Sequence, residues 1–196
     1  MRTIECEQRS PEWFSLRAGC ITASNAHRLL TKPKCEDLAR EIVGNIWGGE
    51  QELYVNSAMQ WGIDNEAEAI SWYWLRTKAD VTHVGFCLHD EHERWGASPD
   101  GLVDDTGLVE VKCPSTKNHL LHIDKGAQNQ YIAQMQWQMI VTGRKWCDFV
   151  SYDPRVPGQM SLYVKRYEFN ESMAEDMIDG ANWVEGYIKM MLKEHK

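Results

Sequence analysis

The chain has no CxxC pair. Its six cysteines (Cys6, Cys20, Cys35, Cys87, Cys113 and Cys147) are scattered, which fits free thiols in a reducing compartment better than a disulfide framework. It has no long uncharged apolar run, so no membrane-spanning helix is expected. The N-terminal "MRTIECEQRSPEWF" carries no apolar signal core, which points to the cytoplasm. Repeats, low-complexity tracts and a linker are missing too, so residues 1–196 are expected to fold as a single domain. Basic residues are outnumbered: 21 Lys and Arg stand against 29 Asp and Glu, a net charge of -8. That argues against broad, nonspecific attraction to nucleic acid. It leaves room for a local basic track, because screening confines a charge's reach to about 10 Å at 0.1 M salt.

What is present is unevenly spread. Residues 1–40 hold seven Lys and Arg against five acids, whereas residues 80–112 hold two against eight. An acidic cluster beside basic flanks suits a divalent metal in a phosphate-binding cleft. Hydrophobic residues make up 43% of the chain, and nine tryptophans are available as anchors.

Along the chain, Ser10-Pro11 caps a short helix, "EWFSLRAG". "TASNAHRLL" and "CEDLAREIVGNIW" read as helices with a break at "TKPK", and "GGEQELYVN" reads as a loop. Residues 57–78 have the spacing of a long aromatic-rich helix. "VTHVGFCLH", "RWGAS", "GLVD" and "GLVEVK" then read as an antiparallel meander, with a tight turn at "DDTG". "NQYIAQMQWQMIVTG" returns to helical spacing and stops at Gly143. Two further strands, "KWCDFVSYD" and "MSLYVKRYEF", flank "PRVPG", and Asn170 caps a final amphipathic helix. The expected architecture is α/β, with a central mixed β-sheet flanked by α-helices.

The chemistry concentrates in "GASPDGLVDDTGLVEVKCP", residues 96–114. Alternate residues of a strand share a face, so Glu110 and Lys112 point one way and Val111 the other. A hairpin closing at "DDTG" brings Asp100 across to Glu110. Two convergent hard carboxylates suit Mg²⁺, with Mn²⁺ as a substitute, and leave positions for water and phosphate oxygens. They would hold one ion firmly or share two. Lys112 beside them would orient a metal-bound water and balance charge on a phosphoryl group. Burial would shift its pKa by an amount the sequence does not fix. On the long helix, Glu66 or Glu68 would supply a third carboxylate. They lie about 200° apart around the axis, so only one faces inward. Gln134 shares a helix face with Gln138, while Gln136 points elsewhere.

Taken together, "SPDG…GLVEVKCP", the upstream "WGxxxE", the downstream "YIAQMQ", "LRAGCITAS", "KPK" and "FVSYDPR" resemble the PD-(D/E)xK nucleases of the YqaJ and phage lambda exonuclease family. The pieces lie in family order over nearly the whole chain. The resemblance implies a restriction-endonuclease-like core and a Mg²⁺-dependent 5′→3′ exonuclease on linear double-stranded DNA. Such an enzyme releases mononucleotides and leaves a 3′ single strand for phage recombination. It implies a ring-shaped homotrimer, double-stranded DNA ends with a 5′-phosphate as substrate, and a phage single-strand annealing protein as partner. If the gene is a phage's, the place of action is the bacterial host cytoplasm.

Carried over by position, Asp100, Glu110 and the Val111 carbonyl would hold the metal. Lys112 would be the catalytic lysine, Glu66 the helix carboxylate and Gln134 the active-site glutamine. Arg17, Ser24 and Ser98 would form the 5′-phosphate pocket. Met59 falls where the family places an apolar wedge, and a core methionine is its other reading. Lys34 and Lys117 stand where arginines approach the DNA; lysine keeps the charge without the guanidinium fork. The segment "STKNHLLHIDKGAQNQ" is short for the family, so its loop contacts do not transfer.

Two other functions compete. A structure-selective or restriction-type endonuclease would use the same metal core. A zinc-stabilised DNA-binding module would use Cys87, His89 and His92, or Cys113, His119 and His122.

Overall fold

The structure is a computed structural model that describes residues 1–48 and 56–194. The loop read at "GGEQELYVN" lies mostly outside them. The elements run β1 (Arg2–Ile4), α1 (Pro11–Ala18), β2 (Ile21–Thr22), a 3-10 helix (Ala23–Leu30), α2 (Lys32–Gly48) and α3 (Ser57–Thr77). Four short strands follow: β3 (Val81–Thr82), β4 (Phe86–Leu88), β5 (Trp95–Ala97) and β6 (Gly101–Val103). The second half holds β7 (Gly107–Lys112), α4 (Thr116–Lys125), α5 (Asn129–Thr142), β8 (Trp146–Tyr152), a 3-10 turn (Gly158–Ser161), β9 (Leu162–Glu168) and α6 (Glu171–Glu194).

The central sheet is mixed and five-stranded, in the order β3-β6-β7-β8-β9. Its single parallel pair, β7 with β8, is joined by α4 and α5, the kind of crossover that parallel strands require. Helix α3 covers one face. There Ala69 and Tyr73 pack on Val109, Val111, Val150 and Leu162. Helix α5 covers the other, where Met135 and Met139 pack with Leu108, Cys147 and Phe149. Strand β7 therefore alternates between two buried layers. Val109 and Val111 face α3, while Leu108, Glu110 and Lys112 face α5.

The expected meander divides in two. β4 and β5 leave the central sheet and, with β1 and β2, form a second sheet ordered β1-β4-β5-β2. "VTHVGFCLH" splits at Gly85, where a β-carbon would lie 2.2 Å from the Cys6 carbonyl oxygen. Only glycine permits that close approach. This second sheet packs with the 3-10 helix, α2, α6 and Trp137 of α5 in the largest apolar cluster.

"TKPK" does not break two helices; it starts the second. Pro33 sits in the first turn of α2, where its missing N–H would have no partner anyway. Helix α4 lies in the segment read as a shortened loop. Its buried residues are His119 and His122, whereas Leu120 and Leu121 are exposed, so its apolar pattern points the wrong way. The caps agree with the sequence. Ser10 accepts from the Trp13 amide at 3.2 Å, Gly143 closes α5 at φ 71°, and Asn170 accepts from the Met173 amide at 2.9 Å.

Candidate active site

The hairpin closes as the acidic motif requires. Gly101 pairs with Val109, so one step further Asp100 lies opposite Glu110. The Val111 amide donates to Asp100 Oδ2 at 2.6 Å. Glu110 is 1% exposed and each of its oxygens has a donor. Gln134 Nε2 reaches Oε1 at 2.5 Å, and Gln138 Nε2 reaches Oε2 at 2.6 Å. Lys112 also pairs with Oε1. Gln136 turns away to the Glu168 carbonyl at 2.8 Å, as the helical spacing predicts. A buried carboxylate held by three donors is one whose charge the fold was built to keep.

The electrostatics follow from this crowding. Burial raises the Asp100 carboxyl well above its usual range, and the Glu110 charge raises it further. For Lys112, burial pulls the pKa down, but Glu110 and Asp100 outweigh it and the net shift is upward. Lys112 is therefore a held ammonium rather than a free base. Its Nζ also lies 5.2 Å from the centre of the Tyr131 ring.

Asp100, Val111 and Lys112 line a cavity of about 1160 Å³ together with Glu66, Arg17, Ser24 and Met59 among others, while Glu110, Gln134 and Gln138 are not part of its lining. Glu66 rather than Glu68 faces it. Glu66 is ion-paired with Arg9, whereas Glu68 accepts from Trp72 Nε1 at 3.4 Å. At the far side, Arg17 Nη2 donates to Ser24 Oγ at 3.2 Å, and its guanidinium carbon lies 4.0 Å above the Trp13 ring. Burial lowers the Arg17 pKa to about 10. Ser98 does not line the cavity; it accepts from Trp13 Nε1 at 2.8 Å and fixes the ring on which Arg17 stacks. Met59 is 51% exposed at the cavity mouth, so its reading as a core residue does not hold. Lys34 and Lys117 are exposed on the first turns of α2 and α4 and are not part of the lining. Lys117 adjoins Asn118, which is.

Arg9, Trp13 and Arg155 join the site without having been singled out in the sequence. Trp13 and Arg17 are four residues apart on one helix, a spacing that predicts contact. Arg155, in the "FVSYDPR" stretch, spans Asp153 and the Pro114 carbonyl and stacks 4.3 Å from the Trp61 ring centre. Arg9 has no pattern that marks it.

The donor set fits a hard divalent cation. Two carboxylates lie side by side, the Asp100 pKa raised first by burial and then by the Glu110 charge, and a dication relieves both costs. The histidine and cysteine runs fit zinc poorly. His119 shares Nδ1 with Ser151 Oγ at 2.8 Å and Nε2 with the Met160 carbonyl at 2.7 Å. His92 stacks on Trp95 at 3.6 Å and bonds Glu185. Among the described residues no three Cys, His, Asp or Glu side chains converge to hold a metal. The zinc module therefore has no site.

Comparison with known proteins agrees with this geometry. Residues 12–145 match the model of the YqaJ-like viral recombinase domain. The chain belongs to that family. LHK-Exo, an alkaline exonuclease from Laribacter hongkongensis, superposes with a TM-score of 0.83 at 38% identity over 95% of this chain and 98% of its own. Its complex with dAMP gives a TM-score of 0.88 at the same identity, over 95% and 96%. A phage-related exonuclease from Haemophilus somnus gives 0.68 at 14% identity over 90% and 96% and shows the shared fold alone. No curated protein matches. Members this similar over nearly their full length are deoxyribonucleases, and this YqaJ-type chain is an enzyme of that class.

Proposed function

We propose that this chain is a Mg²⁺-dependent 5′→3′ exonuclease on linear double-stranded DNA. In this reading it releases mononucleotides and leaves a 3′ strand for a phage single-strand annealing protein, in the host cytoplasm. The observation that carries it is one cavity lined by Asp100 and Lys112, which meet the buried Glu110 behind them, and by Arg17. Phosphodiester cleavage at a terminal nucleotide needs both ends: a place for the reacting phosphate and a place for the 5′-phosphate. LHK-Exo was crystallised with dAMP, which supports a nucleotide as the ligand of this site.

Asp100, Glu110 and the Val111 carbonyl would hold the ion, and Mn²⁺ would substitute for Mg²⁺. When bound, the ion supplies Lewis-acid polarisation of the phosphate and a more acidic water. Gln134 and Gln138 fix both oxygens of Glu110, so the carboxylate is set before substrate arrives. Lys112, held charged, orients the attacking water and stabilises the negative charge that develops on phosphorus. Arg17 presents its planar fork to the terminal phosphate, aimed by its stack on Trp13 and by Ser24. Met59, apolar at the mouth, parts the first base pair. Lys34 and Lys117 add charge outside it.

The test is digestion of a 5′-phosphorylated linear duplex with and without Mg²⁺. Mononucleotides should appear only with the ion, and a closed circular duplex should stay intact. Asp100→Ala and Lys112→Ala should each lose at least about 10³-fold of the rate with the fold retained. Arg17→Ala should erase the preference for 5′-phosphate over 5′-hydroxyl ends. Parental rates in the first two variants would remove the assigned roles. For the proposed homotrimer, light scattering should give a mass near three times 22.7 kDa.

A further inference from the structure

Arg9 stands in the cavity with no task in the reading above, and three observations single it out. Its backbone is left-handed, at φ 71°, a conformation costly for a long side chain. That φ is set locally, at the third position of a turn closed by the Ser10 amide on the Glu7 carbonyl at 3.1 Å, and it fixes how the side chain leaves the backbone. Its guanidinium is ion-paired with Glu66, a cavity carboxylate that also acts electrostatically on Asp100. Its side chain is still 41% exposed, so part of its donor fork faces open space. Arg9 also directly precedes Ser10, the cap of α1, and Arg17 sits in that helix's last turn. Arg9 thus precedes a short helix, about 12 Å long at 1.5 Å per residue, that carries Arg17, and both arginines line the cavity.

A carboxylate paired with arginine is neutralised and unavailable to a cation. We propose that Arg9 is an exchangeable counterion. It neutralises Glu66 in the free protein, and when a divalent ion enters at Asp100 and Glu110 it releases Glu66 to face that ion's water shell and passes its fork to a DNA phosphate. Guanidinium suits both partners, since carboxylate and phosphate offer the same pair of oxygens. Metal and DNA then help each other bind, and by linkage the help is equal in both directions. The idea rests on the nuclease reading and adds to it a coupling that no acid at the site supplies by itself.

The experiment is calorimetric titration of Mn²⁺ into the full chain, alone and with a short duplex made nuclease-resistant by phosphorothioate linkages. The parent should bind Mn²⁺ about tenfold more tightly with the duplex than without it. Arg9→Gly, which suits the left-handed backbone and so protects the fold, should bind Mn²⁺ alone more tightly than the parent. It should lose most of the duplex effect and digest DNA more slowly, yet keep its preference for 5′-phosphate ends. In a Glu66→Gln background the Arg9→Gly change should no longer alter Mn²⁺ binding. Weaker or unchanged Mn²⁺ binding in Arg9→Gly, or a full duplex effect, would overturn the exchange. A parent that digests DNA with Mg²⁺ while Arg9→Gly behaves like it sinks this inference alone. A parent with no Mg²⁺-dependent digestion sinks the nuclease reading beneath it.

Discussion

The residue that reports most on its surroundings is His122. Ser151 Oγ stands 2.8 Å from His119 Nδ1 and 2.9 Å from His122 Nδ1. His119 Nε2 faces the Met160 carbonyl, so that nitrogen must carry the proton. His119 Nδ1 is then the acceptor of the serine proton, and His122 must donate from Nδ1 to the serine oxygen. Its Nε2 is left buried with no partner. A second proton there has nowhere to bond, and burial, His119 and Lys112 together lower the pKa to about 4. Above pH 6.5 both folded and unfolded chains hold His122 neutral, and stability does not depend on it. Between 6.5 and about 4 the unfolded chain takes a proton that the folded chain refuses, so stability falls as pH falls. At about 1.4 kcal/mol per pH unit, the loss reaches no more than roughly 3 kcal/mol. Thermal melts of His122→Asn should lose this part of the acid slope; an unchanged slope between pH 6.5 and 4 would refute it.

At the scale of elements, α5 holds β7 through two glutamines with different duties. Gln134 reaches Glu110 and is partly exposed, whereas Gln138 is 0% exposed. Gln134→Ala should cut activity and leave stability nearly unchanged, because water replaces its bond. Gln138→Ala should cost about 1–3 kcal/mol, because it strips a buried carboxylate of a donor. Denaturant melts beside rate measurements would separate them, and equal stability losses would contradict the assignment. A second contact between elements sets the back of the molecule. At Gly180 of α6 a β-carbon would lie 2.2 Å from the Leu29 carbonyl oxygen of the 3-10 helix, while at Gly44 of α2 nothing lies within 4 Å. Gly180→Ala should therefore destabilise by about 1–3 kcal/mol, since backbone cannot move aside like a flexible side chain. Gly44→Ala should stabilise by about 0.5–1 kcal/mol through lost unfolded-state freedom. Chemical denaturation of the pair, with both shifts of one sign, would reject this account of the packing.

For the whole molecule, the question is how a chain of net charge -8 keeps hold of DNA. Three of its ten arginines, Arg9, Arg17 and Arg155, line the cavity that Asp100 and Lys112 also line. Few phosphates are then neutralised at a time, so nonspecific binding is weak and loses little more with salt. If the proposed ring encloses the duplex, retention during digestion is topological. Raising salt from 50 to 200 mM should slow the start of digestion by less than about tenfold, well below the loss expected for six to ten phosphate contacts. The length digested per encounter should barely change. A processive length that collapses with salt in step with initiation would exclude enclosure.

Much of this was legible before folding. The "LVEVK" alternation dictated that Glu110 and Lys112 share a face, the "DDTG" turn dictated that Asp100 meets them, and helical spacing placed Gln134 with Gln138. Each depends on separations of a few residues, where backbone geometry alone decides direction. The division into two sheets was not legible, because the bend at Gly85 exists only through its closeness to Cys6, far away in sequence. Nor was α4, whose buried face is two histidines that meet on a distant serine. Arg9 shows the same limit most plainly. Its pairing with Glu66, 57 positions along the chain, arises only when the residues before α1 meet α3, and no local pattern encodes a partner that tertiary contact must supply.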